Sequence, residues 1–213
     1  MELVLSGRRL EAVPDDVAAR TALRMLDLGH NRLRSLPESL GALTELDTLY
    51  VHDNRLGTLP AVVLELRDLR FLNAGGNGIA TLPPAIAQLG SLVELGLAGN
   101  ALTALPDSIG ALARLRELDL RGNRLEQLPD AIGGLAALRL LNLRENRLSS
   151  LPDAIGQLRS LRRLDLRAKR LRSLPDAVAE LPGLEKLDLR WNPLPEPPAF
   201  AAELERRGCV VRY

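Results

Sequence analysis

The feature that most constrains this chain is a repeat. Its clearest copy is Leu115 to Ala137, LRELDLRGNRLEQLPDAIGGLAA, with a skeleton of Leu115, Leu118, Leu120, Asn123, Leu125, Leu128, Pro129, Ile132 and Leu135. Stepping by 23 residues reproduces that skeleton along nearly the whole chain. The Asn position reads Asn31, Asn54, Asn77, Asn100, Asn123, Asn146, Lys169 and Asn192, and the Pro position runs from Pro37 to Pro175. A unit this short cannot bury its own apolar face, so the units must stack, each covering its neighbours. No Gly/Ser-rich or Pro-rich linker interrupts the period, which predicts a single domain over residues 1–213.

Within a unit, Leu118 and Leu120 alternate with Glu117, Asp119 and Arg121, the period-2 pattern of a short strand with one buried face. Asn123 then turns the chain inward, where its amide can donate to and accept from unpaired turn backbone, and repetition lines these amides into a ladder. Pro129 suits the first turn of a short helix, because its missing N–H would be unpaired there anyway. Ile132 and Leu135 pin that turn to the core, and Gly133 with Gly41, Gly110 and Gly156 keeps it thin.

This skeleton resembles the leucine-rich repeat family in its 23-residue LPxxIGxL form, as seen in Ras-group-related scaffold proteins and bacterial repeat proteins, over residues 2 to about 195. The resemblance implies an α/β solenoid, a right-handed horseshoe with a parallel concave sheet of nine or ten strands and short helical or 3₁₀ convex segments. Residues 1–22 read as an N-terminal partial repeat, with Arg8 at the Asn position. Residues 23–183 hold seven full repeats, and residues 184–213 a last repeat and cap. In that cap Ala199 to Arg207 reads as a helix and Cys209 to Tyr213 as a strand, so both ends look finished. Two repeats break the rule. Ala74 stands where others place Leu or Val, so either a neighbour such as Val51 fills the space or a function tolerates the loss. Lys169 replaces the ladder Asn; lysine donates but cannot accept, so the ladder should be interrupted there, with the ammonium swung out to water.

The strand residues facing away from the core form the concave floor. Toward the N-terminus it carries Met25, Tyr50 and Phe71, with His30, His52, Asp53 and Asn73, over Gly75, Gly76, Gly96, Ala98 and Gly99. The chain has two Tyr, two Phe and one Trp, and three of these (Tyr50, Phe71, Trp191) fall on this face, although a Leu-built core has no need of them there. Clustered aromatics over a glycine floor suit the docking of a partner. Toward the C-terminus, an acidic or Asn column (Asp119, Asn142, Asp165, Asp188) runs beside Arg121, Arg144, Arg167 and Arg190, and these charges can neutralise one another laterally. Between residues 159 and 172, seven basic residues face Asp165 alone.

The bulk composition excludes several classes. The 28 basic and 27 acidic residues nearly balance, so no global field draws the chain to nucleic acid or membrane. One cysteine, Cys209, excludes an internal disulfide and fits a reducing compartment. The start of the chain does not read as a signal peptide, which makes the cytoplasm the expected location, with secretion by a route lacking a cleaved signal left open. Heavy use of Ala, Leu and Arg suggests a bacterial gene. No CxxC, HExxH, P-loop or G-x-S-x-G element appears, so neither catalysis, a cofactor nor a metal is expected, although His30, His52, Asp53 and Asp27 fall on adjacent strands. The expectation is a monomeric, non-catalytic scaffold that binds a protein or peptide on its concave face, as the family resemblance also implies. Its contacts would be Met25, His30, Tyr50, His52, Asp53, Phe71, Asn73, Arg121, Arg144, Arg167, Arg190 and Trp191. The alternative is a substrate-recruiting subunit of a separate enzyme.

Overall fold

The computed structural model describes residues 1–213, and in it every period contributes one three-residue strand whose middle side chain is apolar. The strands are β1 Glu2–Val4, β2 Met25–Asp27, β3 Thr48–Tyr50, β4 Phe71–Asn73, β5 Glu94–Gly96, β6 Glu117–Asp119, β7 Leu140–Asn142, β8 Arg163–Asp165, β9 Lys186–Asp188 and β10 Val210–Arg212. They form one ten-stranded sheet in sequence order, all parallel. The register follows the sequence period: Met25 pairs with Thr48, Thr48 with Phe71, and Phe71 with Glu94. Behind the sheet, Leu26, Leu49, Leu118 and Leu141 with their equivalents join one continuous apolar core. The leucine-rich solenoid is therefore the fold of the whole described chain.

Two local devices recur at the strand ends. The Asp/Asn column closes a strand: the N–H two residues on donates to the side-chain oxygen, as Gly29 does to Asp27 (2.8 Å), Gly75 to Asn73 (3.1 Å), Arg121 to Asp119 (3.1 Å) and Arg167 to Asp165 (3.1 Å). One residue further the backbone turns left-handed, at Gly7, Gly76, Gly99 and Gly122 but also at His30, Asp53, Glu145, Ala168 and Trp191. These corner residues leave the sheet at its rim rather than lying on its floor.

The corner drives the following Asn into the core. Asn123 Nδ2 donates to the carbonyls of Leu97 and Leu120 (both 2.9 Å), and its Oδ1 accepts the N–H of Leu102 (3.0 Å). The same set recurs at Asn31, Asn54, Asn77, Asn100 and Asn146, all buried. Lys169 departs from expectation. Its side chain does not swing outward: the residue is only 6% exposed, and its Nζ donates to the Leu143 carbonyl, the place an Asn amide would serve. The Leu143 carbonyl already accepts from Asn146 Nδ2 (2.8 Å), and its second lone pair, which an Asn amide fills in other repeats, is filled by the ammonium. The accepting half of the rung is lost as expected, since the Leu148 N–H bonds no counterpart of Asn Oδ1. Burial pushes the Lys169 ammonium down to about 7, against the opposing attraction of Asp165 and Glu145.

The convex side is built from 3₁₀ turns such as Asp107–Ala111, Asp130–Gly134 and Asp153–Gln157, with a single α-helical turn among the repeats, α1 Ala61–Glu65. Each proline stands one residue earlier than the sequence suggested, extended (Pro129 φ −70°, ψ 152°), with its carbonyl accepting the first helical bond from Ile132 (3.0 Å). Close stacking requires the glycines: a Cβ on Gly156 would stand 2.9 Å from the Ala177 carbonyl oxygen. Ala74 fills its Leu position with complete burial beside fully buried Val51, and its carbonyl accepts from both Asn77 and Asn100. At the C-terminal end, helix α2 Ala201–Arg206 stops ahead of left-handed Gly208 (φ 88°), and β10 closes onto β9. No helix is long and apolar enough to cross a membrane.

Lys169→Asn should restore the missing rung and raise unfolding free energy by about 1–3 kcal/mol, the range for satisfying a buried polar group. The unfolded chain holds the lysine proton up to its ordinary 10.5, whereas the folded protein releases it near 7. Between those limits unfolding takes up a proton, so wild-type stability rises with pH across that window by up to about 1.4 kcal/mol per unit. Denaturant titrations of both proteins from pH 6.5 to 10 should show this slope in the wild type and its loss in the asparagine variant.

Candidate binding site

The twelve residues singled out from the sequence do not make one patch. They fall into the two zones their columns suggest, with Arg121 of the arginine column lining the N-terminal trough, and six strand spacings of about 4.8 Å separate β3 from β9, roughly 29 Å.

The N-terminal group gathers on β2 to β6. Met25 and Phe71 share the first column, with Thr48 between them in register. Both are half-buried, and the Arg70 guanidinium lies 5.7 Å from the Phe71 ring centre. Tyr50 is in the next column, beside Asp27 and Asn73, and its ring meets His52 edge-on with centres 6.2 Å apart. His52 meets His30 in the same way at 4.6 Å, and His30 Nδ1 lies 3.2 Å from Asp53 Oδ2. His52 leans across Gly29, where any Cβ would collide with the imidazole, and the Asp53 carboxylate occupies the space a side chain at Gly76 would need.

Beside this cluster a trough of about 340 Å³ is lined by His52, Asp53, Asn73, Gly75, Gly76, Gly96, Ala98, Gly99, Asp119 and Arg121. Its floor is largely backbone. Where Tyr50 and Gly96 replace the Asp or Asn of other repeats, the strand-end N–H groups of His52 and Ala98 lose their side-chain acceptor and bond nothing in the protein. Sequence reasoning singled out Gly96 and Ala98 only as floor. Their effect on the amides was readable once the Asp/Asn column was understood as strand-closing acceptors rather than as charges. On the first-column side of the trough, Glu94 and Glu117 stand in register on β5 and β6. Burial, then the neighbouring Glu117, raises the Glu94 carboxyl above its usual range. This acidic pair has no basic partner in the protein.

The C-terminal group is largely engaged with itself. Arg167 binds Asp165 through Nε and Nη2 and reaches Asp188 at 3.6 Å, while Arg190 pairs with Asp188 at 2.8 Å. These pairs hold the Arg167 and Arg190 guanidiniums more firmly charged than usual. The bridges run mostly along a strand, with the lateral link expected from the sequence formed only at Arg167–Asp188. Arg144 pairs with Glu145 at 2.7 Å and, with Arg190, flanks the exposed Trp191 ring at 5.8 and 5.4 Å. Arg121 remains the most accessible of the column, 3.7 Å from Asp119. The basic cluster between 159 and 172 is reduced in the same way: Lys169 is buried, Arg167 is paired, and Arg162 serves the Gly183 carbonyl and Glu185.

Comparison with known proteins agrees with this architecture. Models of the leucine rich repeat match residues 90–148, 113–171 and 138–194, and a model of a leucine-rich repeat region matches residues 12–100. No curated protein matches. Among solved structures, a leucine-rich repeat protein of Leptospira interrogans superposes with a TM-score of 0.93 at 32% identity, covering 98% of this chain and 53% of its own. The ectodomain of the plant membrane receptor kinase GASSHO1/SCHENGEN3 from Arabidopsis thaliana, in complex with Casparian strip integrity factor 2, gives 0.77 at 34% identity, covering 86% of this chain and 23% of its own. An internalin of Listeria monocytogenes gives 0.84 at 20% identity, a likeness of fold, over 99% of this chain and 60% of its own. The chain thus spans about half the length of the Leptospira protein. Domains of this type generally mediate protein–protein interaction and are typically non-catalytic scaffolds. With family models covering most of its length and a ladder of buried asparagines to match, the chain belongs to the leucine-rich repeat family.

Proposed function

We propose that this chain is a non-catalytic recognition module that holds an extended segment of another protein across β3 to β6 on the concave face. The observation that carries this reading is the glycine-floored trough with two strand-end amides, those of His52 and Ala98, left without partners. Carbonyl groups of an incoming backbone satisfy such donors, and a floor without side chains lets that backbone approach closely. Tyr50 and Phe71 stand beside the trough as anchors for apolar side chains, and Glu94 with Glu117 favours a basic residue in the bound segment. Because the sheet is already formed and its turns are cross-linked by the ladder, little ordering opposes binding. The plant receptor ectodomain was solved with a bound partner, which accords with this use of the fold.

Peptide-display selection against the full chain tests the proposal, with enrichment of sequences carrying Lys or Arg near an apolar residue as the expected result. Ala98→Leu, which fills the trough, should weaken a selected peptide by at least about 10-fold, or 1.4 kcal/mol. Tyr50→Ala combined with Phe71→Ala should do the same while lowering Tm by only about 3 °C, since both rings are already half-exposed. Binding by the double variant at wild-type affinity would move the site elsewhere on the sheet.

A further inference from the structure

We propose that His30, His52 and Asp53 form a binding site for one divalent transition-metal ion of the zinc type. One nitrogen of each imidazole and one carboxylate oxygen of Asp53 all lie within 4.8 Å of one another. A tetrahedral ion with bonds of about 2.0–2.1 Å spaces its ligands about 3.4 Å apart. The His30–Asp53 edge already meets that spacing at 3.2 Å, and the other two edges lie within 4.8 Å. Imidazole and carboxylate together are the ligand set that suits zinc, nickel and copper.

Three features show a site held in place rather than a chance meeting of surface groups. The backbone at each ligand is tied laterally, since the His30 N–H donates to the His52 carbonyl (2.9 Å) and the Asp53 N–H to the Gly75 carbonyl (2.8 Å). Gly29 and Gly76 supply the space into which the His52 ring and the Asp53 carboxylate fit. The Nδ1 atom of His52 is buried and has no hydrogen-bond partner, a polar atom that the protein leaves unserved. An exposed His–Asp ion pair, by contrast, contributes little to stability and leaves that nitrogen as it is.

His30 and Asp53 also adopt left-handed backbone (φ 53° and 52°) at corners where four other repeats place glycine. That conformation is unfavourable for an ordinary side chain, whose Cβ crowds the following carbonyl oxygen. Glu145, Ala168 and Trp191 bear the same cost, so the strain alone does not mark the site. Its use is in the test, because glycine can replace either ligand without disturbing the fold. Three protein ligands leave a coordination position open, and His52 and Asp53 also line the trough.

The experiment is zinc titration by calorimetry on the full, tag-free chain in a non-chelating buffer, with cobalt as a spectroscopic probe. The expected result is one zinc ion per chain with a dissociation constant of about 10 µM or tighter, about −7 kcal/mol. Bound cobalt should show the intense visible bands of a low-coordinate ion. His30→Gly and Asp53→Gly, which relax the corners and should preserve or raise Tm, must each weaken zinc by at least about 10-fold. Gly29→Ala should weaken it too, by displacing His52 without removing a ligand. Absence of saturable binding, or unchanged affinity in the His30→Gly and Asp53→Gly proteins, would overturn the proposal. No peptide is needed, so failure here leaves the recognition reading standing, and the converse also holds.

Discussion

Seven turns of this molecule each bring one asparagine amide among backbone groups that neither strand nor 3₁₀ turn can serve, and the amide joins two successive turns. Asn123 shows the arrangement in full, donating back to Leu97 in the preceding unit and to Leu120 in its own, and accepting from Leu102. The leucine core drives the units together, but leucines alone do not fix where one unit sits on the next. The amide does, because a shift of register would leave several buried polar groups unpaired, each costing about 1–3 kcal/mol. An unshifted ten-stranded parallel sheet follows from that constraint.

Everything on the concave face depends on this division of labour. With core and ladder supplying stability, the outward positions of each strand are free to vary, and they vary in blocks. From β6 onward Asp, Asn and Arg close the strands and neutralise one another. In the earlier strands that pattern lapses: Tyr50 and Gly96 stand in the acceptor column, His52 and Ala98 in the arginine column, and glycine at several corners. The lapse leaves unpaired amides, an unserved imidazole nitrogen and an open floor in one place. It is where the surface is least occupied with its own structure.

Much of the fold was legible because its cause is local and periodic. The strand leucines, the ladder asparagines and the thin glycine turns each recur 23 residues apart and need no tertiary information. Lys169 was not legible in full: residue type showed that it cannot accept, but not that a buried Leu143 carbonyl would hold its ammonium inside. The site was legible as a set of columns but not as a geometry. Side-chain columns showed that Tyr50, His52 and Phe71 share a face, whereas the meeting of His30, His52 and Asp53 depends on left-handed corners and on room above two glycines. The columns already separated an N-terminal from a C-terminal zone, but they did not show Trp191 flanked by Arg144 and Arg190, far from the trough.

Site-resolved amide hydrogen exchange on the full chain measures the ladder most directly. The amides of Leu33, Leu102 and Leu125 bond an asparagine oxygen, and the amide of Leu148, facing Lys169, does not. If the asparagine rungs cross-link the stack, the first three should exchange only through large-scale unfolding, and Leu148 should exchange at least about 10-fold faster, a difference of 1.4 kcal/mol or more. Equal protection at all four positions would show that leucine packing alone sets the register, and that the ladder is a passenger.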